Sequence, residues 1–103
     1  MIEQAKIVGF GKRGRFFAET KDKKKVFCQV SDYSSILVKN GTDGKPEVSF
    51  YGYGGDDFNP RIGNIIYFER DETPDGLIAI RWCFFWEYEF AVKDFEESLQ
   101  IAS

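Results

Sequence analysis

Apolar and polar residues alternate along this chain in short runs, punctuated by glycine, aspartate and lysine turns. Ala5 to Phe10 form a first β-rich run closed by Gly11 and Gly14, and Arg15 to Thr20 form a second. The charged KDKKK at residues 21–25 predicts a hairpin turn between this run and the next. Val26 to Ser31 alternates cleanly, with Val26, Cys28 and Val30 on one face and Phe27 and Gln29 on the other, the period of a half-buried strand. Asn64 to Arg70 is again strand-like, and Pro74-Asp75-Gly76 carries a turn signal.

Two regions read less simply. Lys39 to Pro60 is rich in glycine, with NGTDGKP predicting a loop or hairpin turn and Val48 to Tyr53 a short strand that puts Tyr51 and Tyr53 on one side. This segment, about 39–60, reads as an insertion. After Gly76 comes LIAIRWCFFWEYEFAV, where Ile78, Ile80, Trp82, Phe84, Trp86, Tyr88 and Phe90 share a face if the strand is unbroken and Arg81, Glu87 and Glu89 fall on the other. At ~3.3 Å per residue such a strand would run about 50 Å, so a bend near Phe84 and Phe85 is expected. Asp94 and Glu97 have capping-box spacing and Phe95 and Leu99 lie four apart, which predicts a short helix over Phe95 to Ile101. The count of five or six strands and one terminal helix points to an all-β chain. Its expected form is a small five-stranded antiparallel barrel, closed or nearly so, with the insertion and a C-terminal extension at about 84–103.

Composition narrows the class. The 103 residues suffice for one domain with a single core. Formal net charge is −3, so the whole surface is not a polyanion binder. The charge is uneven: residues 1–25 hold eight Lys/Arg against three Asp/Glu, a net of +5, while the remainder is net −8 with six against fourteen. One face is therefore expected to be basic. No apolar run approaches a membrane span, and MIEQAK lacks the apolar core of a signal peptide, so a soluble, cytoplasmic chain without a membrane partner is expected. Cys28 and Cys83 lack CxxC spacing and read as buried free thiols, with a single disulfide as the other state. Histidine is absent, which removes the commonest general base and nitrogen ligand for zinc, so no enzyme activity, cofactor or metal is expected.

Three blocks in order, KIVGFGKRGRFFAE, VFCQVSD and GNIIYFERDETPDGLIAI, resemble the cold-shock domain, an OB-fold barrel that binds single-stranded RNA and DNA. The likeness covers residues 5–35 and 62–81. In that family the first block carries Lys-Trp-Phe and then Lys-Gly-Phe-Gly-Phe-Ile, and the second is Val-Phe-Val-His-Phe-Ser. Arg13 and Gly14 match the Lys-Gly pair, Phe17 the second aromatic of that motif, Phe27 the stacking aromatic of the second block and Phe10 the Phe of the first strand. The departures are Val8 for lysine, Gly9 for tryptophan, Arg15 for the first aromatic, Phe16 for the intervening glycine, Gln29 for histidine and Val30 for the last aromatic. The resemblance implies a single-stranded nucleic-acid surface on the second and third strands, made of Lys12, Arg13, Arg15, Phe17, Phe27 and Gln29, with Lys6 as a further cation on the backbone path.

Plainer readings stand beside this one. Aromatics in strands are usually packing groups, so barrel core is the default for Phe10, Phe16, Phe17 and Phe27. Phe16 belongs inside; Phe17 and Phe27 are freed for the surface because Ala18, Val26, Cys28 and Val30 offer a separate inward face. Lys23 to Lys25 read as a solvated turn, and Asp56, Asp57, Asp71 and Glu72 as loop solvation without calcium-loop spacing. Gly9, Gly11 and Gly14 have GxGxxG spacing, but RFFAET after them has no helical period, so a phosphate loop is rejected. The aromatics Phe84, Phe85, Trp86, Tyr88 and Phe90 exceed what a small barrel needs. They suggest an alternative function as a protein-interaction module or homodimer, with nucleic-acid binding lost.

Overall fold

A computed structural model of the chain describes residues 2–51 and 60–102. Seven strands and one helix follow in order: β1 Ile2–Phe10, β2 Arg15–Glu19, β3 Lys25–Gln29, β4 Ser35–Asn40, β5 Pro46–Tyr51, β6 Ile65–Thr73, β7 Gly76–Phe84 and α1 Phe85–Ala102. A 3₁₀ turn, Val30–Asp32, follows β3.

Five strands close into a barrel in the order β1-β2-β3-β7-β6: the barrel expected from the pattern, in the OB-fold-like form that the resemblance implies. Strand directions cannot alternate all the way round an odd-membered ring, so one seam must be parallel. That seam is β3–β7, where Phe27 lies beside Ile78.

Period-two alternation builds the core. Ala5 and Ile7 on β1, Phe16 and Ala18 on β2, Val26 and Cys28 on β3, Ile66 and Phe68 on β6 and Ala79, Trp82 and Phe84 on β7 form one buried cluster. Trp82 is fully buried at its centre, with ring centroids 5.0 Å from Phe16 and 5.1 Å from Phe84, both edge-on. Its indole Nε1–H donates to the Gln29 carbonyl at 2.7 Å, so the ring is buried without losing its polar partner.

The even-numbered face expected on the last strand is split. The β6–β7 register passes from Arg70↔Ala79 to Glu69↔Arg81, leaving Ile80 as an unpaired bulge residue. The extra residue reverses the parity, so Ile80 is exposed while Trp82 and Phe84 point inward.

The helix also differs from its expected span, beginning at Phe85 rather than Phe95. Glu87 explains the early start: its carboxylate accepts from the Phe84 backbone N–H at 3.2 Å, the reach-back half of a capping box. The Tyr33 hydroxyl donates to the other oxygen of the same carboxylate. Asp94, the expected cap, lies within the helix, where its carbonyl accepts from the Ser98 hydroxyl at 3.0 Å. Rings reinforce the junction, with Tyr67 stacked on Tyr88 at 4.0 Å and Phe84 on Trp86 at 4.4 Å.

The insertion contains a hairpin that starts earlier than the expected 39. Ser35–Asn40 pairs antiparallel with Pro46–Tyr51 as a separate two-stranded sheet. Its turn is closed by the Gly41 N–H donating to the Lys45 carbonyl at 2.9 Å. Arg81 Nη1 donates to the Phe50 carbonyl at 3.1 Å and so ties the hairpin to the barrel. Tyr53, Asp56 and Asp57 lie outside the described residues.

Candidate nucleic-acid interface

The β2–β3 register sets which side chains meet. Phe16↔Cys28 and Ala18↔Val26 face the core, so the intervening pairs Arg15↔Gln29, Phe17↔Phe27 and Glu19↔Lys25 face outward. Four of the six sequence-derived site residues thus come together: Arg15, Phe17, Phe27 and Gln29 line one open groove of about 440 Å³. Lys12 and Arg13 are exposed in the β1–β2 turn that leads into Arg15 and do not line the groove. The left-handed backbone of Arg13 (φ 60°) and Gly14 (φ 74°) tightens that turn, and Val30 N–H donates to the Gly14 carbonyl at 2.8 Å.

Two glycine contacts explain how the rings are held. Phe17 is half-buried because its ring lies over Gly9 and Gly11; a Cβ would meet the ring at 3.8 Å and 3.5 Å respectively. The tryptophan that a cold-shock domain would carry at Gly9 is absent, and Phe17 covers the backbone there. Phe27 rests against Gly76, where a Cβ would stand 3.3 Å from the ring and the backbone has φ +132°. Phe17 and Phe27 meet edge-on at 5.4 Å and 80°, and Phe27 remains 37% exposed.

Lys25 does not belong to the solvated turn that the charge run predicts: it begins β3, and its Nζ lies 4.5 Å from the Phe17 ring centroid and 5.6 Å from that of Phe27. The signal in the sequence was parity: Lys25 shares the face of Phe27 and Gln29. Lys23 and Lys24 fit the turn reading, paired with Glu19 at 3.4 Å and Asp22 at 3.7 Å. No motif in the sequence marks the far wall of the groove, where Asp32, Thr73, Asp75, Ile78 and Ile80 stand. Burial pushes the Asp32 carboxyl above its usual range.

Phe10 departs from the core default: it is 48% exposed near the end of the barrel, 6.4 Å from Phe16. The GxGxxG glycines lead into strand β2, with no helix N-terminus to receive a phosphate. Cys28 and Cys83 are free and buried, and burial raises both thiols to about 12. Burial therefore favours the protonated thiol at both positions. Among the described residues no group of Cys, Asp or Glu is arranged to hold a metal ion. No described helix is long and apolar enough to cross a membrane.

The barrel can therefore offer an edge-on pair of rings, cations and a partly apolar groove on one face. Compared with family models, curated proteins and solved structures, the chain matches none.

Proposed function

We propose that this chain is a divergent cold-shock-type barrel that binds single-stranded RNA or DNA, without catalysis, across the outer faces of β2 and β3. The observation that carries the reading is the Phe17–Phe27 pair, held edge-on over an open groove with Arg15, Lys25 and Gln29 around it. An aromatic face stacks on any base, and stacking contributes about 1–3 kcal/mol per base. Arg15 adds a planar cation that stacks and pairs with phosphate, and Lys12 and Arg13 extend the positive path for the backbone. Two rings are fewer than the full cold-shock platform, so binding is weak, tolerant of sequence and steeply salt-dependent. The two unpaired thiols suit a reducing cytoplasm.

The test is fluorescence anisotropy with labelled single-stranded RNA and DNA oligomers at low salt, on the wild type, Phe27→Ala and Arg15→Glu. Retention by the wild type and loss in both variants is expected. Failure to retain either oligomer at low salt sinks the reading.

A second reading has its own observation. Helix α1 leaves Trp86 52% and Phe90 72% exposed, beyond what the barrel covers. In this reading the aromatic face docks a protein partner or a second copy of the chain. Sedimentation of a dimer that Trp86→Ala dissociates supports it, and a monomer at high concentration with no captured partner counts against it.

A further inference from the structure

The groove beside Phe27 has an uneven distribution of charge. On its β2 side stand the cations: Arg15 on the face itself, Lys25 against the Phe17 ring, and Lys12 and Arg13 in the turn leading into β2. The opposite wall comes from β7 and the turns beside it. It carries acceptors, Asp32, Thr73 and Asp75, around the apolar Ile78 and Ile80.

Topology places these acceptors at the two ends of β3, in the groove that Phe27 also lines. Because β3 and β7 run parallel, the turn holding Asp75 and Gly76 lies at the start of β3, where Gly76 touches Phe27. Asp32 follows Gln29 at the other end. The Thr73 hydroxyl donates to the Gly76 carbonyl at 2.9 Å and accepts from the Asp75 N–H at 3.2 Å, which fixes the first end. Among the described residues nothing donates a hydrogen bond to the carboxylate of Asp32 or of Asp75; the Asp32 group that accepts, from Ser34, is its backbone carbonyl. Two carboxylates without donors stand at the edge of a stacking platform, and the half-buried Asp32 is already partly stripped of water.

We propose that this wall selects the base stacked on Phe27 by its amino groups, favouring guanine and disfavouring uracil and thymine. The inference rests on the nucleic-acid reading above. Phosphates are repelled by Asp32 and Asp75 and attracted by Lys12, Arg13, Arg15 and Lys25, so the backbone runs on the β2 side and base edges face β7. A single-stranded base presents its Watson–Crick edge freely. Guanine offers N1–H and the N2 amino group side by side, two donors for the two oxygens of one carboxylate. Cytosine and adenine offer one amino group each. Uracil and thymine offer one N–H between two carbonyls, whose lone pairs face those of the carboxylate.

A host–guest series tests this on the full chain. Uridine oligomers of about nine nucleotides, within the usual site size, carry uridine, cytidine, inosine or guanosine at the centre and are titrated at one low salt concentration. The guanosine guest should bind about tenfold tighter than uridine, within the discrimination that a bidentate base contact supports. Inosine, which lacks the N2 amino group, should lose most of that gain. In the double variant Asp32→Asn, Asp75→Asn, near-isosteric at one half-buried and one exposed position, the guanosine and uridine guests should come within about twofold of each other. Equal affinity for all guests, or a guanosine preference unchanged in the double variant, overturns the selection while leaving the stacking interface standing. Absence of binding to every oligomer overturns both.

Discussion

Removing the ring of Phe27 perturbs the proposed interface while leaving the inner wall of the barrel untouched, since its neighbours Val26 and Cys28 are the residues that face the core. Two stabilities change. The edge-on contact with Phe17 contributes about 0.5–1.5 kcal/mol to the fold. With the residue 37% exposed, the covered part of the ring contributes about 1–2 kcal/mol, below the range for full burial. Phe27→Ala should therefore cost about 1.5–3.5 kcal/mol, a fall in Tm of roughly 6–28 °C for a chain of this size. In binding it should cost about 1–3 kcal/mol, or roughly 5- to 150-fold in Kd, for the loss of one base platform. Phe27→Leu separates the two effects, because it keeps most of the apolar cover and removes the π-face. Anisotropy with a labelled single-stranded oligomer, alongside urea melts of each variant, reads both. Phe16→Leu, beside Phe17 on β2 but facing the core, is the control: it should lower the urea midpoint and leave the affinity of folded protein within about twofold, as expected for a site that does not touch ligand. A folded Phe27→Leu protein that binds as tightly as the wild type would refute the stacking role.

Three further outcomes follow from the fold. Gly76→Ala puts a Cβ into a backbone at φ +132° and 3.3 Å from the Phe27 ring, so it should cost at least 1 kcal/mol or so in urea unfolding; an unchanged midpoint would contradict the strain at that turn. Glu87→Ala removes the acceptor of both the Phe84 N–H and the Tyr33 hydroxyl, which should cost about 2–4 kcal/mol and lower the helical circular dichroism signal; a loss below about 0.5 kcal/mol would show that Glu87 does not start the helix. The Cys28 and Cys83 thiols sit at about 12, above their ordinary value, so the native state holds protons that the unfolded chain releases near pH 9. Stability from the neutral thiols is fully present below about pH 9 and is lost as pH rises towards 12, and Cys28→Ala should flatten the fall in urea midpoint across that window.

What was legible in the sequence was local. In β2 and β3 the inward Phe16, Ala18, Val26 and Cys28 alternate with charged or ring-bearing residues, and one pattern sets both the core and the outward face. The helix start was not legible because FFWEYEF has the aromatic content of a strand; what ends β7 is the Glu87 carboxylate reaching back to Phe84. Likewise nothing marks Ile80 as a bulge, since it is neither glycine nor a turn residue. Its position follows from pairing with β6. The acceptor wall was hidden for a topological reason: Asp32 and Asp75 belong to turns far apart in the chain, brought to one groove by the parallel β3–β7 seam.

The central claim is that this face carries single-stranded nucleic acid on rings and cations, and a salt titration tests it most directly. If Lys12, Arg13, Arg15 and Lys25 each meet a phosphate, log K against log salt for a single strand should have a slope of about −2.8, so affinity should fall roughly 50-fold between about 50 and 200 mM. Arg15→Glu should flatten that slope by at least 0.7 or so. Binding that is absent at about 50 mM, or that persists unchanged across the range, would contradict the claim.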